Sequence, residues 1–125
     1  MRLLGKFFTT ISQSMVPGQV EARISFNADH SIFKGHFPGL PVVPGVCMMQ
    51  ISREVLEEAL GKPLAIVSAD NMKFMAVIDP NKNNQVDVKV VYTHDGDSYI
   101  VNASLSSDNT TYFKMRATLS GSAWK

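Results

Sequence analysis

The peptide Gly35–Val46, GHFPGLPVVPGV, contains residue types that could act on a carbonyl group. His36 stands in a loop stiffened by prolines, and Gly45 begins a stretch with helical spacing. The first N–H groups of a helix lack partners and lie at the positive end of its dipole, so they can stabilise charge on a carbonyl oxygen. An imidazole nearby could remove an α-proton or position water at neutral pH. The peptide therefore predicts a site for a carbonyl compound such as an acyl thioester.

A purely structural interpretation of the same peptide is a rigid turn, in which Phe37 fills the core and His36 is hydrogen-bonded. Cys47 lies near the predicted helix start, where a thiol can be activated, but its apolar neighbours favour a buried, inert thiol. His30 and His94 are expected to be surface or structural residues, and no metal-ligand spacing is present, so neither a metal nor a cofactor is expected. Four methionines could line an acyl tunnel or simply pack in the core: Met48, Met49, Met72 and Met75.

Composition limits the class of protein to which these residues belong. The chain has 125 residues, 45% of them hydrophobic, which predicts one domain over residues 1–125 with a modest core. A net charge of +1 without a basic run argues against a nucleic-acid partner. A lone cysteine, no signal-peptide pattern and no apolar segment of bilayer length together predict a cytoplasmic protein that does not bind a membrane.

The elements that must position the peptide are one strand before it and one helix after it. Val20–Phe26 alternates apolar and polar residues, as a half-buried strand does. Asn27–Pro44 is predicted to be a long ordered loop, because prolines and glycines interrupt it before any helical pattern begins. The helix begins at Gly45, and Gly61 followed by Pro63 ends it.

Short apolar or alternating segments follow the helix, and each is predicted to be a strand. Turns separate them at Asp79–Asn84, His94–Asp97 and Ser107–Asn109. One helix followed by such a meander can bury its apolar face only against the sheet, which predicts an α+β fold with an antiparallel sheet around one central helix. The predicted strands are Leu64–Ser68, Met72–Val77, Gln85–Thr93, Ser98–Ser106 and Thr110–Leu119.

The loop peptide and its surroundings resemble the β-hydroxyacyl-[acyl-carrier-protein] dehydratases, which are hotdog-fold enzymes of fatty-acid synthesis. The resemblance rests on Gly35–Gly39 (GHFPG), Pro41 and Pro44–Val46 (PGV). Asn27–Phe33 is similar to the family's lead-in, and Lys73–Pro80 to its strand that runs into a turn containing proline. The resemblance implies a hotdog fold, in which an antiparallel sheet wraps around the central helix.

The same resemblance implies a set of site residues. His36 is expected to be catalytic, and the N–H of Gly45 is expected to face the thioester carbonyl. Phe37, Pro44 and Val46 are expected to contact the substrate, an acyl chain carried by acyl-carrier protein or CoA. The family forms dimers with active sites at the subunit interface, so a homodimer is expected, with a higher oligomer or a heterodimer as alternatives.

The sequence departs from the family at its acid. The family has Glu or Asp on the helix fourteen positions after the histidine, and here that position holds Gln50. An amide cannot lend and recover a proton near neutral pH, although Gln50 could still orient a hydroxyl group or a water as part of the catalytic site.

Two acidic residues could replace the missing acid: Glu54, one turn further along the helix, and Asp70, before a predicted strand. Glu54 is more simply interpreted, with Glu57 and Glu58, as part of a solvated helix face. Asp70 is more simply a turn residue. Without either acid, His36 would perform both proton steps.

These observations predict a (3R)-hydroxyacyl-thioester dehydratase-like protein of fatty-acid or polyketide-type synthesis, with activity reduced by Gln50. Two alternatives stay open. One is an acyl thioesterase, which would use the same polarised carbonyl group. The other is a non-catalytic acyl-thioester-binding subunit of a dehydratase heterodimer, whose partner supplies the acid. The sequence does not specify the chain length, the carrier or the pathway.

Overall fold

One helix packed on one sheet forms the core of the computed structural model, which describes residues 2–35, 39 and 41–122. The helix, α2, spans Gly45–Leu60. Pro44 precedes it with extended backbone (φ −62°, ψ 146°). The helix ends at Gly61, whose φ of 70° is left-handed and therefore suits glycine. The predicted start and end of this helix are confirmed.

Among the described residues, the sheet consists of six antiparallel strands. They are β1 (Phe8–Val16), β2 (Gln19–Phe26), β3 (Ala65–Phe74), β4 (Gln85–Asp95), β5 (Ser98–Ser107) and β6 (Thr110–Ser120). Their order across the sheet is β1-β2-β4-β5-β6-β3, so β1 and β3 are the two edges. A short helix, α1 (Ser31–Gly35), precedes α2.

Alternate residues of the central strands face the helix. In β4, Val86, Val88 and Val90 are buried, while the residues between them are partly or fully exposed. Ile51 and Leu56 of α2 are fully buried. Burying an aliphatic side chain of this kind contributes about 1.5–3 kcal/mol, so this layer holds α2 against the sheet. The predicted α+β fold is confirmed.

Both edge strands differ from the sequence prediction. The polar run Thr9–Ser14 belongs to β1, which pairs along β2 through its backbone while most of its side chains are exposed. β3 is one strand and not two, because the shifts between Ile66 and Ser68 and between Ala69 and Asn71 disturb its register without ending it. Edge strands with few buried side chains lack the alternation that marks a half-buried strand. The predicted continuous loop was also wrong in one part, because α1 lies within it.

The turns after β3 lie where the sequence predicts them, but the two hairpin turns are shorter, because His94 and Asp95 still belong to β4 and Ser107 to β5. The predicted turns at Asp79–Asn84, His94–Asp97 and Ser107–Asn109 each lead into the next strand. Within the described ranges, no helix is long and apolar enough to cross a membrane. The assignment of residues 1–125 to one domain stays a prediction.

Candidate functional site

The start of α2 borders an apolar cleft of about 540 Å³, which we call the Gly45 cleft. Its walls come from the helix start on one side and from the end of β3 and the following segment on the other. The residues that define it are Pro44, Gly45, Met48, Phe74, Met75 and Val77. Two of the four methionines considered for an acyl tunnel, Met48 and Met75, therefore line this cleft.

Gly45 brings the backbone of the helix start close to the ring of Phe74. A Cβ atom at position 45 would lie 2.6 Å from Phe74 Cε1, so a larger residue would displace that ring. The N–H groups of Gly45 and Val46 have no hydrogen-bond partner in the part of the chain that the structure describes, and Pro44 provides no side-chain cap. The helix start thus has two donors for an anion or a carbonyl oxygen.

A second, smaller cleft of about 260 Å³ lies on another side of the same helix turns, and we call it the Gln50 cleft. Its walls are mainly apolar, with one amide and one guanidinium group. The residues that define it are Val46, Met49, Gln50, Arg53, Ala65 and Ile66. Of the predicted site residues, Pro44 and Gly45 therefore line one cleft, while Val46 and Gln50 line the other.

The remaining predicted site residues, His36 and Phe37, lie outside the described residues. Their catalytic and substrate-binding roles stay predictions. α1 ends at Gly35, directly before them, and residues 41–44 lead into α2.

Gln50, at the position of the family's acid, is held by a buried carboxylate. Its Nε2 donates to Oε2 of Glu54 at 2.7 Å. Glu54 is fully buried, and its two oxygens also accept the backbone N–H groups of Leu3 and Leu4 at 2.7–3.1 Å. The interpretation of Glu54 as part of a solvated face is therefore wrong. Three converging N–H donors replace water around this carboxylate, which is why it can be buried.

The residues that line both clefts lie within a stretch that matches a known family. Residues 12–115 match the model described as ApeI-like: ApeI dehydratase. The chain belongs to the ApeI-like dehydratase family. The resemblance to the acyl-carrier-protein dehydratases is thereby confirmed, with an ApeI-like chain that departs from them at Gln50.

Two curated relatives of the ApeI-like chain are 3-hydroxyacyl-[acyl-carrier-protein] dehydratases FabZ. That of Caulobacter sp. (strain K31) is 33% identical over 67 residues, or 46% of this chain and 41% of the relative. That of Clostridium acetobutylicum is 28% identical over 75 residues, or 54% of this chain and 52% of the relative. The chain thus spans about half the length of the curated relatives it matches.

A solved structure supports the architecture of the ApeI-like chain. The dehydratase heterocomplex ApeI:P from Xenorhabdus doucetiae contains a chain that superposes with a TM-score of 0.72 at 18% identity. The superposition covers 89% of this chain and 96% of that one. The predicted hotdog fold is confirmed.

Glu57 of the ApeI-like chain is also buried, contrary to the predicted solvated face. Its Oε2 accepts the N–H of Leu64 at 2.7 Å and lies 3.8 Å from Nη1 of Arg53, which itself donates to the Leu64 carbonyl at 3.2 Å. Glu57 thus fixes the connection from α2 to β3. Glu58 is exposed, as the prediction required, and accepts a hydrogen bond from Thr10. Sequence reasoning missed the two buried acids because their backbone donors lie outside the helix.

Asp70 and the two described histidines lie away from both clefts. Asp70 is an exposed residue of β3, where the register shifts, so its interpretation as a turn residue is wrong. His30 accepts the N–H of Ile32 at Nδ1, and its ring meets the edge of Phe7, which confirms a structural role. His94 is exposed on β4. Among the described side chains, no three His, Cys, Asp or Glu residues come together as a metal site.

Cys47 of the ApeI-like chain is buried, as predicted. Burial raises the pKa of its thiol, and the negative charge of Glu54 raises this pKa further. Since only the thiolate is alkylated, we expect iodoacetamide to modify the native protein at pH 8 at least about tenfold more slowly than the urea-unfolded chain. The native rate should rise with pH beyond the range in which a free thiol has already levelled off. Equal rates for native and unfolded protein would contradict this prediction.

Proposed function

We propose that this chain binds (3R)-hydroxyacyl thioesters, on acyl-carrier protein or CoA, as a dehydratase-like protein of fatty-acid or polyketide-type synthesis in the cytoplasm. The observation that carries the proposal is the start of α2. There, the N–H of Gly45, which has no partner among the described residues, borders an apolar cleft. An acyl chain beside a polarised carbonyl group fits such a lining. The names of the FabZ relatives, 3-hydroxyacyl-[acyl-carrier-protein] dehydratases, support the same substrate class.

In this proposal, the helix start activates the substrate and His36 moves the proton. The N–H of Gly45 donates to the thioester carbonyl oxygen, which stabilises the charge that develops when the α-proton leaves. His36 takes that proton and returns it to the β-hydroxyl, so that the C–O bond breaks, the C=C bond forms and water departs. Phe37, Pro44 and Val46 contact the acyl chain.

A second chain would complete the site, because Gly45 and Gln50 line different clefts of one chain. β3 is an edge of the sheet, and Val67, Met72 and Phe74 on it are exposed. An apolar edge strand pairs readily with another strand. We therefore propose a dimer through β3 that brings the Gln50 cleft of one chain to the Gly45 cleft of the other, with assembly beyond the dimer left to measurement.

Gln50 favours a second candidate, a heterodimer in which a different subunit supplies the carboxyl group. The Gln50 amide can hold a substrate hydroxyl but cannot protonate it, so the chain alone would bind substrate without turnover. The structure from Xenorhabdus doucetiae is named as a dehydratase heterocomplex, which supports this candidate.

The proposal is tested with purified protein and 3-hydroxyacyl and 2-enoyl thioesters on both carriers. We expect binding of both and slow interconversion, followed by the enoyl absorbance. His36→Ala should lower the rate at least about 100-fold, since general acid–base catalysis contributes about that much. His94→Ala, which changes an exposed histidine that lines neither cleft, is the matched control and should leave the rate unchanged.

Each other outcome selects a different function. Release of free thiol from acyl thioesters without dehydration would indicate a thioesterase. Binding without turnover, followed by turnover when a second subunit is co-purified, would indicate the heterodimer. Failure to bind any acyl thioester would exclude the proposal as a whole.

A further inference from the structure

The orientation of the Gln50 amide is determined by its neighbour Glu54. The side chain of Gln50 has a donor branch, Nε2, and an acceptor branch, Oε1. The atom that meets Gln50 belongs to a carboxylate, 2.7 Å away, and a carboxylate accepts hydrogen bonds only. The nitrogen must therefore point at Glu54, which places the amide oxygen on the other branch.

The side chain of Glu54 is fixed in this orientation. Its side chain is fully buried, and the backbone N–H groups of Leu3 and Leu4 hold its two oxygens. Oε1 accepts from Leu4 at 2.7 Å, and Oε2 accepts from Leu3 at 2.9 Å beside the Gln50 bond. Because backbone N–H groups only donate and Oε1 accepts from both Leu3 and Leu4, that oxygen must stay an acceptor, and Oε2 is the atom that faces Gln50. The direction of the Gln50 amide is thus set by the backbone of residues 3–4 through one carboxylate.

We infer that Glu54 is a positioning residue that makes Gln50 a hydrogen-bond acceptor, so that the Gln50 cleft selects acyl chains carrying a hydroxyl group over those carrying a ketone. This inference rests on the proposed function and specifies the substrate class of the same site. An amide oxygen has two lone pairs, so it can accept a substrate hydroxyl beside another donor. Val46, Met49 and Ile66 give the cleft apolar walls, and an acyl chain bound against them would displace water, which strengthens that contact.

The consequence is a measurable preference among three ligands of one chain length. They are thioether analogues of 3-hydroxyacyl, 3-oxoacyl and saturated acyl thioesters, which cannot be hydrolysed. The hydroxyl donates to Gln50, whereas the ketone oxygen faces the amide oxygen and neither can donate. We expect the wild-type protein to bind the 3-hydroxyacyl analogue about tenfold more tightly than either of the others, as for one well-made neutral hydrogen bond.

Glu54→Gln is the decisive variant, because it should remove the preference for the hydroxyl over the ketone. The new carboxamide has almost the shape of the carboxylate, and its oxygen still accepts from Leu3 and Leu4. Its NH₂ group then faces Gln50 and requires an acceptor there, so the Gln50 amide turns over and presents N–H to the cleft. A hydroxyl oxygen accepts such an N–H as a ketone oxygen does, so the variant should bind the 3-oxoacyl and 3-hydroxyacyl analogues within about threefold of each other. Glu58→Gln, the same change on the exposed side of the helix, should keep the wild-type order.

The outcomes separate this inference from the proposed function. If wild type binds none of the analogues, the proposed function fails. If wild type binds all three equally, or Glu54→Gln weakens all three by one factor, the function stands and the inference is overturned.

If Glu54→Gln does not fold, Gln50→Met tests the same inference. It keeps the length of the side chain, removes both polar atoms and should bind the three analogues within about threefold of one another. Retention of the hydroxyl preference in Gln50→Met would overturn the inference.

Discussion

Gln50→Glu is expected to dehydrate 3-hydroxyacyl thioesters about 100-fold faster than the wild-type chain. The substitution supplies a group that can lend and recover a proton, at the position where the related dehydratases have their acid. A positioned general acid contributes about 10²–10⁴-fold, and we expect the lower end because the surrounding residues are adapted to an amide. Initial rates of enoyl formation at saturating substrate measure the effect.

The neighbour of the introduced carboxyl group gives this prediction a pH dependence. The introduced carboxyl group would replace the Gln50 amide, which donates to Glu54 at 2.7 Å. Two adjacent carboxylates repel each other. One proton is therefore retained by the pair in the folded state, which is the form that acts as an acid. Retaining a proton in the folded state stabilises the variant at low pH, and this stabilisation is lost as the pH rises and the proton leaves. Activity and melting temperature of Gln50→Glu should thus fall together at high pH, while the wild type shows no such joint loss.

Gln50→Met serves as the matched control, because it changes the same side chain without adding an acid. It should show no gain in rate. A Gln50→Glu variant that folds, binds substrate and remains as slow as wild type would mean that position 50 does not contact the β-hydroxyl.

Glu54→Ala is expected to lower the free energy of unfolding by about 3 kcal/mol. It removes the carboxylate and leaves three buried or half-buried donors, on Leu3, Leu4 and Gln50, without their acceptor. Each unsatisfied buried donor costs about 1–3 kcal/mol, and water entering the space recovers part of that loss. Urea unfolding of the two proteins measures the difference, and the melting temperature should fall by about 10 °C.

The same helix provides the control for this prediction. Glu58→Ala removes an exposed carboxylate that accepts a hydrogen bond from Thr10, and it should change the free energy of unfolding by less than about 0.5 kcal/mol. A loss below about 1 kcal/mol for Glu54→Ala would show that the N-terminal residues do not depend on this carboxylate.

The helix and strands that could be predicted are those whose own residues show a clear pattern of capping or alternation. Pro44 and Gly45 mark the start of α2 and Gly61 marks its end, because each acts through its own backbone conformation. The alternation of Val86, Val88 and Val90 identifies β4, because one of its faces is fully buried. β1 and β3 carry weaker signals, since edge strands bury few side chains and β3 also has a disturbed register.

Some residues of the candidate site could likewise be predicted from the sequence, and others could not. Gly45 could be predicted from its place at a helix start, and Gln50 from the family resemblance, which implies a site residue fourteen positions after His36. Glu54 could not, because a carboxylate on a helix is ordinarily solvated and its donors here are backbone groups of Leu3 and Leu4. Every residue except proline has a backbone N–H group, so no sequence pattern predicts which of these groups will donate to a distant side chain.

The order of the strands also determines how the chain folds. β2 pairs with β4, as in Gln19 opposite Val91, although α2 and β3 lie between them in the sequence. The hairpins β4–β5 and β5–β6 can form early, but the sheet is incomplete until β1 and β2 dock beside β4. Closing such long loops slows the transition, and sheets dominated by distant pairings fold in roughly milliseconds to seconds. During synthesis, the N-terminal hairpin must therefore wait, with one edge of β2 unpaired, until residues beyond Val91 have left the ribosome.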